Sequence, residues 1–264
     1  MAAILAAMTV ASRFLRWRSW GGAERRALLL HGSTSSSATW WRVGPALADA
    51  GWRVKAPDLP SHGASPRADR ALTPEVAAAS LAAELADRPV DLVIGHSFGA
   101  SVALGLVAHG VTIRQLVLDE LPGPNSSDWT AEAESVLAGV AGARRDPAGA
   151  ADRMRAAQPR WSDFDCQQAV HDLASSCAED IAAGLRLGAT WPALDAAELT
   201  SPTLVVVAPD PGGASRSADT TALRGEDRAA ARQVADAFVE LDGGHHLHRD
   251  QPELWLRTVI DFTG

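Results

Sequence analysis

The sequence predicts an α/β fold: a three-layer α/β/α sandwich in which helices cover both faces of a mostly parallel sheet. The chain of 264 residues is 47% hydrophobic, and short apolar runs alternate along it with longer helical patterns. Strands separated by helices form parallel sheets that are buried on both faces. The length suits one large domain with room for an inserted subdomain, and the apolar fraction excludes a disordered chain.

Six apolar runs are predicted as strands, because each is short and ends at a polar or glycine-containing turn. They are residues 27–30, 52–56, 90–94, 115–118, 203–207 and 237–241. Residues 13–20 alternate apolar and polar side chains before Gly21 and Gly22, which predicts a first strand entering a hairpin. Helices are expected at residues 40–50, 74–87, 99–109, 228–236 and 252–262.

One long segment, residues 121–199, interrupts this alternation because it shows helical patterns and no clear strand. We predict that it is a helical cap, inserted into a core formed by residues 1–120 and 200–264. A cap closes a site from above and shapes its specificity. The aromatic residues of this segment favour a substrate with an apolar group; they are Trp129, Trp161, Phe164 and Trp191.

Composition narrows the choice of partners and compartment. The net charge of −8, with no basic stripe, argues against binding to nucleic acid. The apolar N-terminus is too short to span a membrane and lacks the preceding basic segment of a signal peptide. We therefore expect a cytoplasmic protein that binds no membrane. The oligomeric state stays open, and a homo-oligomer is one alternative. Cys166 and Cys177 form neither a metal motif nor a disulfide framework, although a single disulfide between them stays open.

The most informative motif is Gly-His-Ser-Phe-Gly at residues 95–99, between the predicted strand 90–94 and a predicted helix. A serine on a sharp strand-to-helix turn exposes its hydroxyl, and the flanking glycines let the backbone crowd that turn. The amides at the start of the helix stabilise negative charge that develops beside the serine. The motif predicts that Ser97 is a nucleophile.

A serine nucleophile needs a base within hydrogen-bond reach, usually a histidine oriented by a carboxylate. The candidates downstream of Ser97 are Asp210, just past a predicted strand, and the cluster His245, His246 and His248. The spacing of His245 and His248 could also hold zinc on a helix. No cysteine or acidic partner motif accompanies them, so we expect no metal.

Four motifs between residues 27 and 253 resemble those of the α/β-hydrolase family. They are a His-Gly turn at 29–33, a D-x-x-G-H-G-x-S loop at 58–65, the nucleophile elbow at 95–99, and a histidine turn at 244–253. Ser61 stands in the second motif where glycine is common. The resemblance implies the fold and a serine triad, but it does not specify the substrate.

By this resemblance the catalytic histidine is His245, ahead of His246 and His248. The triad acid maps to Asp210. Asp119 is the alternative, because some family members place the acid after the preceding core strand, and Glu120 is a weaker one.

The resemblance also implies an oxyanion hole made by the backbone amides of Ser33 and Phe98. We expect His31 to shape the turn beside this hole rather than to react, and His96 to flank the pocket or pack beneath it. The residues expected at or near the substrate are His31, Gly32, His96, Trp129 and Trp161.

These features predict an esterase-like serine hydrolase that transfers an acyl group to water through an acyl-enzyme. The substrate is expected to be a small, partly apolar ester, and no cofactor is needed. The same fold and triad also serve hydrolysis of amides, lactones, thioesters and carbon–carbon bonds, hydroxynitrile lyase chemistry, and cofactor-free haloperoxidation. A slow ligand-binding receptor on this scaffold stays open as well.

Overall fold

The computed structural model describes residues 14–85, 88–125, 128–194, 199–210 and 221–264. Within them a seven-stranded sheet forms the centre of the molecule. The strands are β1 (Trp17–Trp20), β2 (Arg26–Leu30), β3 (Arg53–Pro57), β4 (Leu92–His96), β5 (Leu116–Asp119), β6 (Thr203–Val207) and β7 (Ala237–Glu240). Their order is β1-β3-β2-β4-β5-β6-β7, and every pair is parallel except β1 with β3.

The first strand corrects one prediction. β1 does not form a hairpin with β2, because β3 lies between them and β1 pairs antiparallel with β3. At Gly21, where φ is +67°, a Cβ would overlap the carbonyl oxygen of Trp52. The chain therefore passes close to the backbone of Trp52 as it leaves β1. β2 then pairs in parallel with the other edge of β3.

Ten α-helices accompany the sheet in the described part of the chain. They are α1 (Val43–Asp49), α2 (Pro74–Leu85), α3 (Phe98–Ala108), α4 (Trp129–Arg145), α5 (Pro147–Ala157), α6 (Asp163–Ser175), α7 (Ala178–Leu185), α8 (Gly225–Val234), α9 (Leu247–Asp250) and α10 (Pro252–Thr263). Two hydrophobic clusters lie on opposite faces of the sheet, one under α2 and α3 and the other under α1 and α10. Alternate residues of β2 enter different clusters, Leu28 the first and Leu29 the second, as expected for a sheet buried on both faces.

The four helices α4 to α7, which we call the cap helices, lie between β5 and β6. Three of them have an N-cap residue whose side-chain oxygen accepts a hydrogen bond from a backbone amide of the first turn. These residues are Asp128 for α4, Asp146 for α5 and Ser162 for α6. Aromatic residues of this insertion join the cluster that also contains α2 and α3, so the cap helices share a core with the sheet. The exact division into cap and core stays a prediction.

The topology places several polar residues on one edge of the sheet. Parallel strands end at the same edge, and ligand sites of open α/β sheets lie there. His96 at the end of β4 is in register with Asp119 at the end of β5, which in turn is in register with Val206 of β6. No helix in the described residues is long and apolar enough to span a membrane.

Candidate active site

Ser97 lies on a strained turn between β4 and α3. Its backbone has φ of 51° and ψ of −120°, a region that non-glycine residues rarely adopt and that costs on the order of 1–3 kcal/mol. A Cβ at Gly95 would overlap the carbonyl oxygen of Gly99, and a Cβ at Gly99 would overlap that of Leu30. The two glycines are therefore required for a turn this tight.

The histidine that faces the serine is His245, in the segment between β7 and α9. Its Nε2 lies 2.9 Å from the Oγ of Ser97, so the ring is placed to accept the hydroxyl proton. Its side chain is 20% exposed, which leaves it reachable from solvent. Of the three histidines considered in this turn, the one that contacts the serine is the one implied by the family resemblance.

The carboxylate at the other nitrogen of His245 belongs to Glu120, not to Asp210. The Oε2 of Glu120 lies 3.2 Å from the Nδ1 of His245. Two backbone amides also donate to this carboxylate, Ala208 to Oε1 at 2.5 Å and Ala222 to Oε2 at 2.7 Å. Three donors thus hold a fully buried negative group, so its orientation toward His245 is tightly defined.

The predicted acid Asp210 lies beyond the end of β6, where it is partly exposed. The carboxylate that contacts His245 instead comes from the neighbouring strand: Glu120 directly follows β5 and has φ of 53°. The left-handed backbone lets its side chain turn away from the strand and reach His245. Such a conformation is uncommon for residues other than glycine, and the sequence pattern does not predict it.

Asp119, the other alternative acid, serves a different histidine. Its Oδ2 lies 3.3 Å from the Nδ1 of His248, and both side chains are buried. Burial raises the pKa of Asp119 well above its usual range, and the neighbouring charge of Glu120 adds to the effect. Two buried carboxyl groups in consecutive positions therefore contact different histidines: Glu120 contacts His245, and Asp119 contacts His248.

Both residues predicted for the oxyanion hole lie near Ser97, and their role stays a prediction. Ser33 and Phe98 both line the cavity that contains Ser97 and His245. Phe98 is the first residue of α3, where backbone amides have no partner inside the helix. Neither amide donates to another of the described residues, so both are available to a ligand.

His31 is structural, as expected, but it does not line the cavity. Its Nδ1 lies 2.8 Å from the carbonyl oxygen of Gly32, and its Nε2 accepts from the amide of Leu59 at 2.9 Å. The ring is fully buried, and burial lowers its pKa, which keeps it neutral. His31 therefore joins the oxyanion turn to the loop that follows β3.

His96 lies beside the catalytic residues. Its Nε2 is 2.7 Å from the backbone carbonyl oxygen of His245, and it can only donate to that acceptor. Its Nδ1 would meet a Cβ on Gly32 at 2.8 Å, so Gly32 makes room for the ring. His96 thus packs between Gly32 and His245.

The cavity above Ser97 has a volume of about 400 Å³. One wall is aromatic: Trp191 packs against Phe98 with ring centroids 5.4 Å apart and against Trp129 at 4.8 Å. Trp129 contributes to this wall as predicted, whereas Trp161 lies elsewhere and donates its indole N–H to Asp250. Sequence reasoning also missed several polar residues of the wall, and they are Glu132, Ser135 and Arg224.

The arrangement of Ser97, His245 and a carboxylate on the carboxyl edge of a mostly parallel sheet defines the α/β hydrolase class. The family model described as "Alpha/beta hydrolase family" matches residues 27–258. The chain belongs to this family.

Among individual relatives, two proteins of Mycobacterium tuberculosis are similar over part of the chain. Lipase LipV is 41% identical over 86 residues, which is 31% of this chain and 31% of the lipase. Esterase Rv0045c is 32% identical over 135 residues, which is 48% of this chain and 44% of the esterase. The matches thus span less than half the length of these relatives.

A thermophilic esterase from Thermogutta terrifontis, solved with malate bound, has the same fold. The TM-score is 0.70 at 24% identity, and the superposition covers 94% of this chain and 92% of that esterase. At this level of identity the comparison supports the fold and leaves the substrate open.

Proposed function

We propose that this protein is a serine hydrolase that cleaves carboxylic esters of small, partly apolar molecules through a Ser97–His245–Glu120 triad. One observation carries the proposal: His245 contacts Ser97 Oγ at 2.9 Å through one nitrogen and Glu120 Oε2 at 3.2 Å through the other. A nucleophile, a base and an orienting carboxylate in this order form the geometry of acyl transfer.

Acylation begins when His245 Nε2 removes the hydroxyl proton of Ser97 as its oxygen attacks the ester carbonyl. The Nδ1–H of His245 donates to Glu120, which holds the ring in the required tautomer and stabilises the imidazolium that forms. Glu120 stays ionised in this step, and its two backbone donors keep it in place.

The negative oxygen of the tetrahedral intermediate is bound by the amides of Ser33 and Phe98. Each such donor typically contributes about 3 kcal/mol to stabilisation of the transition state. His245 then returns the proton to the leaving alcohol. In the second half, the same histidine activates a water molecule that hydrolyses the acyl-enzyme and regenerates Ser97.

The cavity supports an ester with one apolar arm. The wall formed by Phe98, Trp129 and Trp191 offers a flat aromatic surface next to the nucleophile. A cavity of about 400 Å³ falls at the small end of the range for small-molecule sites. Medium-length acyl chains are therefore expected to be better substrates than long ones.

The test is hydrolysis of a series of p-nitrophenyl esters, with fluorophosphonate labelling of the same preparations. The wild type is expected to turn over medium-chain esters and to be labelled at Ser97. Ser97→Ala is expected to do neither. Ser101→Ala is a matched control, because Ser101 is buried one turn further along α3 and away from the cavity.

Two results would count against the proposal. If neither labelling nor turnover depends on Ser97, then the nucleophile is wrong. If Ser97 is labelled but no ester in the series is hydrolysed, then the nucleophile is right and the ester assignment is wrong.

A further inference from the structure

Three imidazole rings gather beside the catalytic histidine, and the proposed hydrolysis uses none of them as an acid or base. They belong to His96, His246 and His248, and one ring nitrogen of each lies within 4.8 Å of those of the other two. The ring centroid of His96 is 4.9 Å from that of His246 and 4.7 Å from that of His248. Two of the residues are buried and His246 is half-buried.

We propose that these three histidines, which we call the histidine cluster, form a site for a transition-metal ion such as Zn²⁺, and that the bound ion inactivates the enzyme. The inactivation rests on the proposed function, whereas the binding does not. The ion is a reversible inhibitor here and takes no part in the reaction.

The donor set selects the class of metal. Three imidazoles suit Zn²⁺, Cu²⁺ and Ni²⁺, whereas Mg²⁺ and Ca²⁺ prefer carboxylate and carbonyl oxygens. Imidazole binds a metal in its neutral form.

Two members of the cluster already have the partners that orient metal-binding histidines. Such rings usually donate their second N–H to a backbone carbonyl or a carboxylate. His96 contacts the carbonyl oxygen of His245 through Nε2, and His248 contacts the carboxyl group of Asp119 through Nδ1. The Nε2 of His248 lies 3.0 Å from Thr39 Oγ1, so an ion at this nitrogen must displace the Thr39 hydroxyl. The third ring, His246, makes no hydrogen bond to another described residue, so it is the member that can turn toward an ion.

Closure of the cluster accounts for the inactivation. Zn–N bonds of about 2.0–2.1 Å place tetrahedral ligands about 3.3 Å apart, whereas the nitrogens are separated by up to 4.8 Å, so the rings must move toward each other to bind an ion. His246 directly follows His245 in the chain, and His96 holds the carbonyl of His245. Moving either ring therefore shifts His245 from Ser97, and a misplacement of about 1 Å can cost about 100-fold in rate.

One residue opposes the ion and limits its affinity. Arg249 is buried, and its guanidinium donates to Thr39 Oγ1, which also contacts the Nε2 of His248 at 3.0 Å. Its positive charge repels a cation in the cluster. We therefore expect a site that fills and empties with the metal concentration rather than one that retains its ion.

The experiment uses untagged, metal-free protein and two independent readings. Zn²⁺ binding is measured by competition with a chromophoric chelator, and Co²⁺ binding by its visible absorption. Ester hydrolysis is followed over the same Zn²⁺ range and after addition of EDTA. His246→Gln and His96→Gln each remove a ligand, and His171→Gln on the exposed side of α6 is the control.

We expect one Zn²⁺ per chain, a tetrahedral Co²⁺ spectrum, and inhibition that EDTA reverses. Each ligand variant should bind Zn²⁺ at least about 10- to 100-fold more weakly, because even the loss of a residue that only orients a ligand has an effect of this size. At Zn²⁺ concentrations that inhibit the wild type, each variant should hydrolyse ester as fast as it does without metal. The control should behave as the wild type.

The proposal is overturned if no Zn²⁺ binds, or if binding is unchanged in both ligand variants. If Zn²⁺ binds to an active preparation and does not inhibit ester hydrolysis, then the proposed inactivation is wrong. If no ester is hydrolysed at all, the proposed function has failed, and chelator competition still decides whether the site exists.

Discussion

At the residue scale, the left-handed conformation of Glu120 accompanies the contact of its carboxylate with His245. Asp119 and Glu120 are consecutive, yet one contacts His248 and the other His245. Glu120 receives three hydrogen bonds, while Asp119 Oδ1 has no hydrogen-bond partner among the described residues. Glu120 therefore has the more completely hydrogen-bonded carboxylate of the two, and it is the one that we propose for the triad.

The first prediction tests the acid directly. Glu120→Gln removes the charge but keeps the side-chain shape, so His245 loses the group that stabilises its imidazolium. We expect kcat to fall by about 10³- to 10⁴-fold with the fold retained. Asp210→Asn should leave kcat within a few-fold of the wild type. The measurement is steady-state ester hydrolysis, and the reverse ranking of the two variants would restore Asp210 as the acid.

The second prediction concerns His96 as a positioning residue. Its Nε2–H holds the carbonyl of His245, so His96→Ala should lower kcat by about 10- to 100-fold and change KM little. His96→Gln offers an N–H at a similar reach and should recover part of kcat. Equal losses in the two variants, or a change confined to KM, would contradict this role. Thermal unfolding of both variants separates positioning from loss of structure.

At the element scale, buried carboxylates fasten the cap helices to the core. Asp165 of α6 accepts from the indole of Trp41 at 2.9 Å, and Asp172 of the same helix accepts from Ser36 at 2.7 Å. Asp180 of α7 accepts from Ser61 at 2.7 Å and from Arg67 at 2.8 Å. These links are directional, so they define where the cap helices lie over the site more sharply than apolar packing does.

The third prediction tests one of these links. Burial alone would raise the pKa of Asp180, but hydrogen bonds from Arg67, Ser61 and Cys177 outweigh it and lower that pKa. Asp180→Asn should therefore reduce the free energy of unfolding by about 1–3 kcal/mol near neutral pH. The contribution is present above the unfolded pKa and disappears as pH falls through the lower folded pKa.

Asp163→Asn is the control for this link, because Asp163 is an exposed residue of α6 that pairs with Arg155 at the surface. Exposed pairs contribute little, so this variant should unfold as the wild type does. Urea unfolding at neutral and acidic pH measures both variants. A pH-independent loss in Asp180→Asn would show that packing, and not the charge, is what matters.

At the scale of the whole molecule, the fold holds five buried or half-buried histidines, besides His245, around one edge of the sheet. Five have a lowered pKa: His31, His62, His96, His246 and His248. Burial is the main cause in each, and the pKa of His62 falls to about 3. In the unfolded chain these rings take up protons near their ordinary pKa of about 6.5.

The fourth prediction follows from this difference. Below about pH 6.5 the unfolded state binds more protons than the folded state, so stability falls as pH falls. Each such proton contributes about 1.4 kcal/mol per pH unit, and the raised pKa values of Asp119 and Asp172 partly offset the total. Unfolding temperatures measured from pH 8 to about pH 5 should decline steeply in the lower half of the range.

His109→Gln is the control for the pH series, because His109 is a partly exposed histidine that pairs with Glu75 outside the buried set. Its pH profile should overlay that of the wild type. A flat profile in the wild type between about pH 6.5 and 5 would mean that the five rings are not held neutral by the fold.

Much of this protein can be read from local sequence. The strands, the helices and the turn at Ser97 follow from apolar runs and glycines, because strand burial and left-handed turns depend on residues close together in the chain. The strand ends identify a set of polar residues that meet on one edge. The family resemblance adds the choice of His245 among three neighbouring histidines, and the structure places that ring against Ser97.

Other features depend on contacts between distant segments. The pairing of β1 with β3 depends on which strand occupies the neighbouring position in the sheet. The aromatic wall contains Trp191 and excludes Trp161, because the packing of the cap helices decides which rings face the cavity. Glu120 is the carboxylate that contacts His245 because two amides from Ala208 and Ala222, about a hundred residues further along the chain, hold it there. The sequence by itself determines which carboxylates reach the edge of the sheet, but only the tertiary structure supplies the donors that stabilise one of them there.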